Sequence, residues 1–416
     1  MLSPVRSLSR RRSLLASSSI ERIDMKDVKH PDRWLTAEEA TGRLGVSRQT
    51  LYTYVSRSRI GTVAAPSDPR RTLYDAADIA RLAKRKSCGR ARSAVAASTI
   101  SYGEPILHTA ITRIEGDHLE YRGRNAVVLA DHATLEDVAA VLWQVDSLPP
   151  TTAAADAWPT IHSTAGKGED CIAAIARLAM LGPWTEQTDR VIPDALRILD
   201  QMARAAAGQP MALPSRQPLH ARLAESWGAG SRAADMIRRA LVLAADHELN
   251  PSTYATRVAA SAHAPLGACV LAGLATLIGP LQGGATGQVR DFLADPDVVS
   301  NPPIAVAARI ACGKRVPGFG QPLYPHGDPR AAALLSHMPA QGKDHCLIEA
   351  MRTITGVAPN LDFALVVIER QLSLPRGAAF ALMAVGRTVG WIAHALEQWK
   401  DGHLIRPRAQ YGTTSK

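Results

Sequence analysis

Aromatic side chains are scarce in this chain of 416 residues, at 5% of the total, with only four phenylalanines. Ala, Leu and Arg dominate instead, so the expected fold class is mainly α. Cysteine is also sparse: Cys88, Cys171, Cys269, Cys312 and Cys346 are odd in number and scattered, with no CxxC pair. That excludes a disulfide framework and a zinc site, and fits a reducing compartment, the cytoplasm. No run approaches eighteen consecutive apolar residues, so no membrane span is expected. There is no glycine-rich phosphate loop, no HExxH and no GxSxG, which removes the common signatures of nucleotide, metalloprotease and serine-hydrolase chemistry. No metal site or bound cofactor is predicted.

What is present is a globular composition, 46% hydrophobic and 21% charged, in a chain too long for one ordinary domain. Its formal charge of +10 is unevenly spread: residues 1–98 hold 20 Lys and Arg against nine Asp and Glu, and the rest hold 28 against 29. The basic excess therefore lies wholly in the first quarter, where it points to a polyanion. Residues 1–24 are rich in Arg and Ser and have no apolar core, which rules out a secretory signal. An unstructured tail, sequence upstream of a start at Met25, or a mitochondrial-type presequence all fit; residues 1–33 are expected to be a basic, disordered tail.

From Trp34 the text reads WLTAEEATGRLGVSRQTLYTYVSRSRI. Thr36 and Glu39 have capping-box spacing, and Ala37, Ala40 and Leu44 share the helical face that follows. Gly45 makes a turn, and Ser47 caps a second helix with Leu51, Tyr54 and Val55 inward. Arg48, Gln49 and Thr50 stand at its exposed start, where a recognition helix presents side chains to base edges. DPRRTLY then supplies a basic turn and a short strand, and DAADIARLAKRK a further helix. Residues 34–86 thus resemble the MerR/excisionase-type winged helix-turn-helix, a resemblance that implies DNA binding, with Arg70 and Arg71 on the wing. A small protein-binding unit has the same outline. Residues 87–98, SCGRARSAVAAS, have the composition of a linker.

From residue 99 onward the chain reads as successive helices with apolar residues at three-and-four spacing, such as CIAAIARLAML and AAFALMAVGRTVGWIAHALEQW. In order come EYRGRNAVVLADHATLEDVAAVLW, AADHELNPSTYATRVAASAHAPLGACVLAGLATLIGPLQGGA, GFGQPLYPHGDPRA, NLDFAL and GRTVGWIAHALEQWKDGHLIRPRAQY. These segments, spread over residues 99–411, resemble the citrate synthase family. The resemblance implies all-helical large and small domains within 99–416, the small one at about 290–385 inserted in the large. It also implies the condensation of acetyl-CoA or a related acyl-CoA, as cosubstrate, with oxaloacetate.

The resemblance assigns roles residue by residue. Asp362 matches the base that takes a proton from the acetyl methyl. His247, Arg330, Arg387 and Arg406 match the residues that grip oxaloacetate; guanidinium forks suit a dianion. Arg406 serves the neighbouring subunit's site in the family, which implies a homodimer. Val316, Pro317, Gly318, Phe319 and Gly320 match the loop that recognises the CoA adenine. Read singly, each of these residues has a plainer role: a helix cap, an ion-pair partner, a core histidine.

The departures from the family fall on its two catalytic histidines, which are Gln282 and Gln321 here. Thr286 and Gly287 replace the usual Asn-Glu, and Pro325 stands where some relatives place an arginine on the CoA phosphates. A donor aimed at a developing enolate is worth about 10²–10³ in rate, and an amide N–H can serve there in part. A lost general acid costs about 10²–10⁴, and an amide does not replace it. His326 substitutes only if its loop turns inward. The condensation is thus expected about 10³–10⁵ below an ordinary relative. Two other readings stay open: a non-catalytic, ligand-sensing DNA-binding regulator, and a non-catalytic subunit paired with an active paralogue.

Overall fold

The computed structural model describes residues 34–56, 60–65, 68–88, 107–148, 191–207 and 217–407. The expected tail of residues 1–33, the linker beyond Cys88 and the helix read at CIAAIARLAML lie outside them. The chain divides into two compact units, one of Met1–Ile106 with Pro407–Lys416 and one of Leu107–Arg406.

In the first unit, β1 (Trp34–Leu35) leads into α1 (Ala37–Leu44) and α2 (Arg48–Ser56). Next come β2 (Thr62–Ala65), β3 (Asp68–Asp75) and α3 (Ala76–Cys88). The three strands form an antiparallel sheet in the order β1-β3-β2. Both halves of the capping box at α1 are made: the Thr36 N–H donates to Glu39 Oε2 at 2.8 Å, and the Glu39 N–H to Thr36 Oγ1 at 3.3 Å. Gly45, at φ 57, ends α1 in the left-handed region, and Ser47 Oγ accepts the Thr50 N–H at 3.3 Å to start α2. Ala40, Leu44 and Leu51 close a small core with Leu35, Ile60, Tyr74 and Ile79; Ala37, Tyr54 and Val55 pack at its edge.

The second unit opens with a feature the all-helical expectation missed. Strands β4 (Thr112–Glu115), β5 (His118–Tyr121) and β6 (Arg124–Asn125) form an antiparallel sheet in chain order. Its cause is local: Leu119 and Tyr121 alternate inward, and Gly116 at φ 58 turns the β4–β5 hairpin.

The rest of the unit is helical. It runs through α4 (Ala126–His132), α5 (Leu135–Trp143), α6 (Val191–Ala207), α7 (Leu219–Ser226), α8 (Ser231–Ala244), α9 (Pro251–Ser261) and α10 (Leu266–Leu277). It continues through α11 (Ala285–Ala294), α12 (Pro296–Ser300), α13 (Pro302–Ala311), α14 (Pro329–His337), α15 (Gly342–Thr355), α16 (Leu361–Gln371) and α17 (Ala378–Asp401). Helix α17 is the axis, touching α5, α6, α8, α9 and α10. It is long and apolar enough to cross a bilayer, but 89% of its most apolar stretch is buried inside the unit, so it is a core helix. A Cβ at Gly390 would meet the carbonyl oxygen of Ala245 at 2.4 Å, so the turn after α8 rests directly on the α17 backbone.

Candidate active site

The turn from Ala244 to Asn250 carries His247, and α17 holds that turn in place. The Gly390 N–H donates to Ala245 O at 3.1 Å, and Arg387 Nε to Ala244 O at 3.0 Å. From β5, the Tyr121 hydroxyl reaches the carbonyls of Val242 and Asp246 at 3.1 and 3.2 Å. Beneath the turn, fully buried Asp246 and His394 lie 3.3 Å apart. His247 is buried; burial, with Arg330 and Arg387 close by, pushes its pKa well below the ordinary value, so the imidazole is neutral. Its Nε2 lies 3.0 Å from the Tyr324 hydroxyl.

Arg330 enters from the first turn of α14 and is only 3% exposed. Asp328, the N-cap of that helix, takes Arg330 Nε at 2.9 Å and Nη2 at 2.8 Å, a bidentate pair. The same carboxylate accepts the Leu361 N–H at 3.1 Å and so joins α14 to the start of α16. Arg387 comes from mid-α17, is equally buried, and has its pKa lowered by burial. The Arg330 ion pair uses Nε and Nη2 of the guanidinium.

Asp362 occupies the first turn of α16, where backbone N–H groups favour a negative charge. Burial nevertheless pushes its carboxyl up to about 7, with Arg330 and Arg387 pulling the other way. That is the tuning expected of a base working near neutral pH. The loop of Val316, Pro317, Gly318, Phe319 and Gly320 is tied to the residues ahead of this helix. The Asn360 N–H donates to Gly318 O at 2.9 Å, the Gly320 N–H to Ala358 O at 2.9 Å, and Asn360 Nδ2 to Gly320 O at 3.2 Å. Gly318 has φ 82, and a Cβ there would stand 3.0 Å from both Phe363 Cβ and Val289 Cγ2.

The two glutamines differ in their surroundings. Asn250 caps α9, its Oδ1 accepting the N–H groups of Ser252 and Thr253 at 3.2 and 3.3 Å. The group that faces this oxygen at 2.5 Å is therefore the nitrogen of Gln282, and its other N–H points to Ser252 Oγ at 2.8 Å. Both N–H bonds are thus committed, and Gln282 Oε1 is buried without a partner. In this arrangement the amide has no N–H left for an enolate oxygen; the free group is an acceptor. Gln321 is half-buried, and its Oε1 accepts the Leu323 N–H at 3.4 Å.

The remaining expected residues stand apart. His326 faces outward, 80% exposed, and pairs with Asp117 at 3.0 Å, so it does not take over from Gln321. Arg406 is exposed and does not join the cluster. In the first unit Arg48 and Gln49 are exposed and Thr50 is half-buried, while Arg71 is exposed and lies 3.7 Å from Asp68. The side chain of Arg70 lies outside the described residues. Sequence reasoning missed Asp328, Tyr324, Asn250 and Ser252. Asp328 and Asn250 carried a signal, each as a capping residue before a helix-starting proline. No group of three or more His, Cys, Asp or Glu among the described residues is placed to hold a metal.

A buried histidine, Asp362 with its raised carboxyl, and two buried arginines that act on both share one helical unit. Residues 101–408 match the family described as citrate synthase, C-terminal domain, and the chain belongs to the citrate synthase family. It is similar to citrate synthase of Haloferax volcanii, 38% identical over 189 residues, a stretch that covers 43% of this chain and half (50%) of that protein's length. It is 26% identical over 352 residues to 2-methylcitrate synthase 1 of Corynebacterium glutamicum, covering 73% of this chain and 92% of that one. The solved structure of citrate synthase from Thermotoga maritima superposes with a TM-score of 0.64 at 26% identity, covering 76% of this chain and 95% of that chain.

Proposed function

We propose that the second unit binds a 2-oxo dicarboxylate, oxaloacetate or a close analogue, through His247, Arg330 and Arg387, and condenses it slowly with an acyl-CoA. The observation that carries this reading is Asp362, a carboxyl pushed to about 7 at a helix start and flanked by two buried guanidiniums. Asp362 removes the proton from the acyl carbon; His247 and the arginines hold the oxo acid. Residues 316–320 take the CoA adenine, and no metal or prosthetic group takes part. Turnover is low because Gln282 has committed both N–H bonds and Gln321 carries no transferable proton. One relative is named for 2-methylcitrate, so acetyl- and propionyl-CoA are both candidate donors. The test is thiol release with oxaloacetate and each acyl-CoA at high protein concentration, with Asp362→Asn as control. Turnover lost in the control supports a synthase. No turnover, with oxaloacetate still raising the melting temperature, leaves a binding-only site.

A second reading, a ligand-responsive DNA-binding protein, is favoured by exposed Arg48 and Gln49 at the start of α2 and by the basic excess of residues 1–98. Fluorescence anisotropy with labelled duplex DNA, with and without oxaloacetate, tests it. Binding that weakens with salt and with Arg48→Ala supports this reading, and binding that ignores both opposes it. In either case the protein is proposed to be a homodimer, or a heteromer with an active paralogue, in which exposed Arg406 completes the neighbouring site. Sedimentation with and without the paralogue separates these assemblies.

A further inference from the structure

A condensation onto a carbonyl must end by protonating the alkoxide that forms, and Gln321 does not donate that proton. The surrounding groups can be taken in turn. His247 is neutral, and burial with two arginines disfavours the imidazolium that would act as an acid. Asp328 has both oxygens occupied by Arg330 and Leu361. The Tyr121 hydroxyl is turned to backbone carbonyls, and His326 to Asp117 outside. Arginine holds its protons too tightly to give one up. A further O–H among the described residues stands beside His247. Tyr324, three residues beyond Gln321 on the same loop, is 3% exposed, with its hydroxyl 3.0 Å from His247 Nε2 and the Arg330 guanidinium 5.7 Å from its ring centre.

We propose that Tyr324 is the proton donor of this site, performing the step that histidine performs where this chain has Gln321. The inference rests on the synthase reading above. As the new carbon–carbon bond forms, the electron pair of the carbonyl moves onto its oxygen. The Tyr324 O–H then breaks, and its proton goes to that alkoxide. Asp362 has gained one proton from the acyl carbon and Tyr324 has lost one, so exchange through water resets both. His247 Nε2, 3.0 Å away, orients the hydroxyl, and Arg330 steadies the phenolate. Burial raises the phenol above its ordinary pKa and so keeps it in the protonated form, the one that can donate.

The experiment is single-turnover thiol release by the full chain as wild type, Asp362→Asn, Tyr324→Phe, Gln321→His and the Tyr324→Phe/Gln321→His pair. Tyr324→Phe is expected to lower kcat about 10²-fold or more, with KM for oxaloacetate nearly unchanged. A histidine at 321 is expected to erase most of that loss. The proposal is overturned if kcat is unchanged, if only KM rises, or if the loss persists with histidine at 321. The KM outcome would make Tyr324 a positioning residue for His247. Should Tyr324→Phe not fold, Tyr324→Leu is read in the same way. A wild type no faster than Asp362→Asn overturns the synthase reading itself, whereas a wild type faster than Asp362→Asn but equal to Tyr324→Phe overturns the tyrosine step alone.

Discussion

The side-chain nitrogen of Gln282 lies 2.5 Å from Oδ1 of Asn250, an oxygen already fixed by its role as the cap of α9. The pair commits one N–H of the amide at position 282 to that cap, and Ser252 Oγ takes the other. The helix cap draws both N–H bonds inward, and the carbonyl oxygen is what remains.

Restoring both histidines, Gln282→His with Gln321→His, is expected to raise turnover about 10²-fold or more in the thiol-release assay. Arg330 and Arg387 already stand within electrostatic reach of both Asp362 and His247. A double variant no faster than the wild type would move the defect to the 316–320 loop.

Asp362→Asn is expected to abolish turnover and yet stabilise the fold at alkaline pH. The carboxyl rises from an ordinary 3.8 to about 7 on folding. Its contribution to stability is therefore complete below about 3.8 and is lost as pH rises through about 7. The melting temperature of the variant should exceed that of the wild type at about pH 8, and the gap should close towards about pH 4. Wild-type kcat should rise with pH through about 7, since the base acts ionised. A flat profile there would remove Asp362 from the role of base.

Asp328→Asn removes one member of a bidentate pair whose partner, Arg330, is only 3% exposed. Leaving a buried guanidinium unpaired costs about 3–5 kcal/mol, measurable by urea unfolding. The oxaloacetate-induced rise in melting temperature should shrink as well. A loss below about 1 kcal/mol would mean that Arg330 finds another acceptor or reaches water.

Gly318→Ala puts a Cβ on a residue at φ 82, with Phe363 and Val289 each 3.0 Å away. The backbone strain alone is about 1–3 kcal/mol. Acyl-CoA affinity, followed by calorimetry, should fall more than tenfold while the oxaloacetate response survives. Equal losses for both ligands would show that the loop does not act on the acyl-CoA alone.

Much of this was legible in the sequence because it is local. Thr36 with Glu39, Gly45 and Ser47 act within four residues of themselves, and their caps are made as the spacing requires. His247, Arg330, Asp362 and Arg387 were expected from the resemblance of the motifs around them, and Arg330 and Arg387 act on the charge of both His247 and Asp362. What the text hid was pairing across distance. Asn250 meets Gln282 32 positions away, Tyr324 meets His247 77 positions away, and Asp328 reaches the amide of Leu361. Such partners have no spacing rule, because α17 and the turns laid on it decide who meets whom. The β4–β5–β6 sheet was missed for another reason: its strands of four, four and two residues are too short for a period of two to stand out.

The backbone bonds that tie Gly318 and Gly320 to Ala358 and Asn360 have one more consequence. For an elongated substrate that touches both the 316–320 loop and Asp362, they act as a ruler. The interval between the two ends is marked off in the peptide groups of Gly318, Gly320, Ala358 and Asn360. None of these bonds involves Gln282 or Gln321, so the spacing of the loop from Asp362 is set apart from the side chains at those two positions.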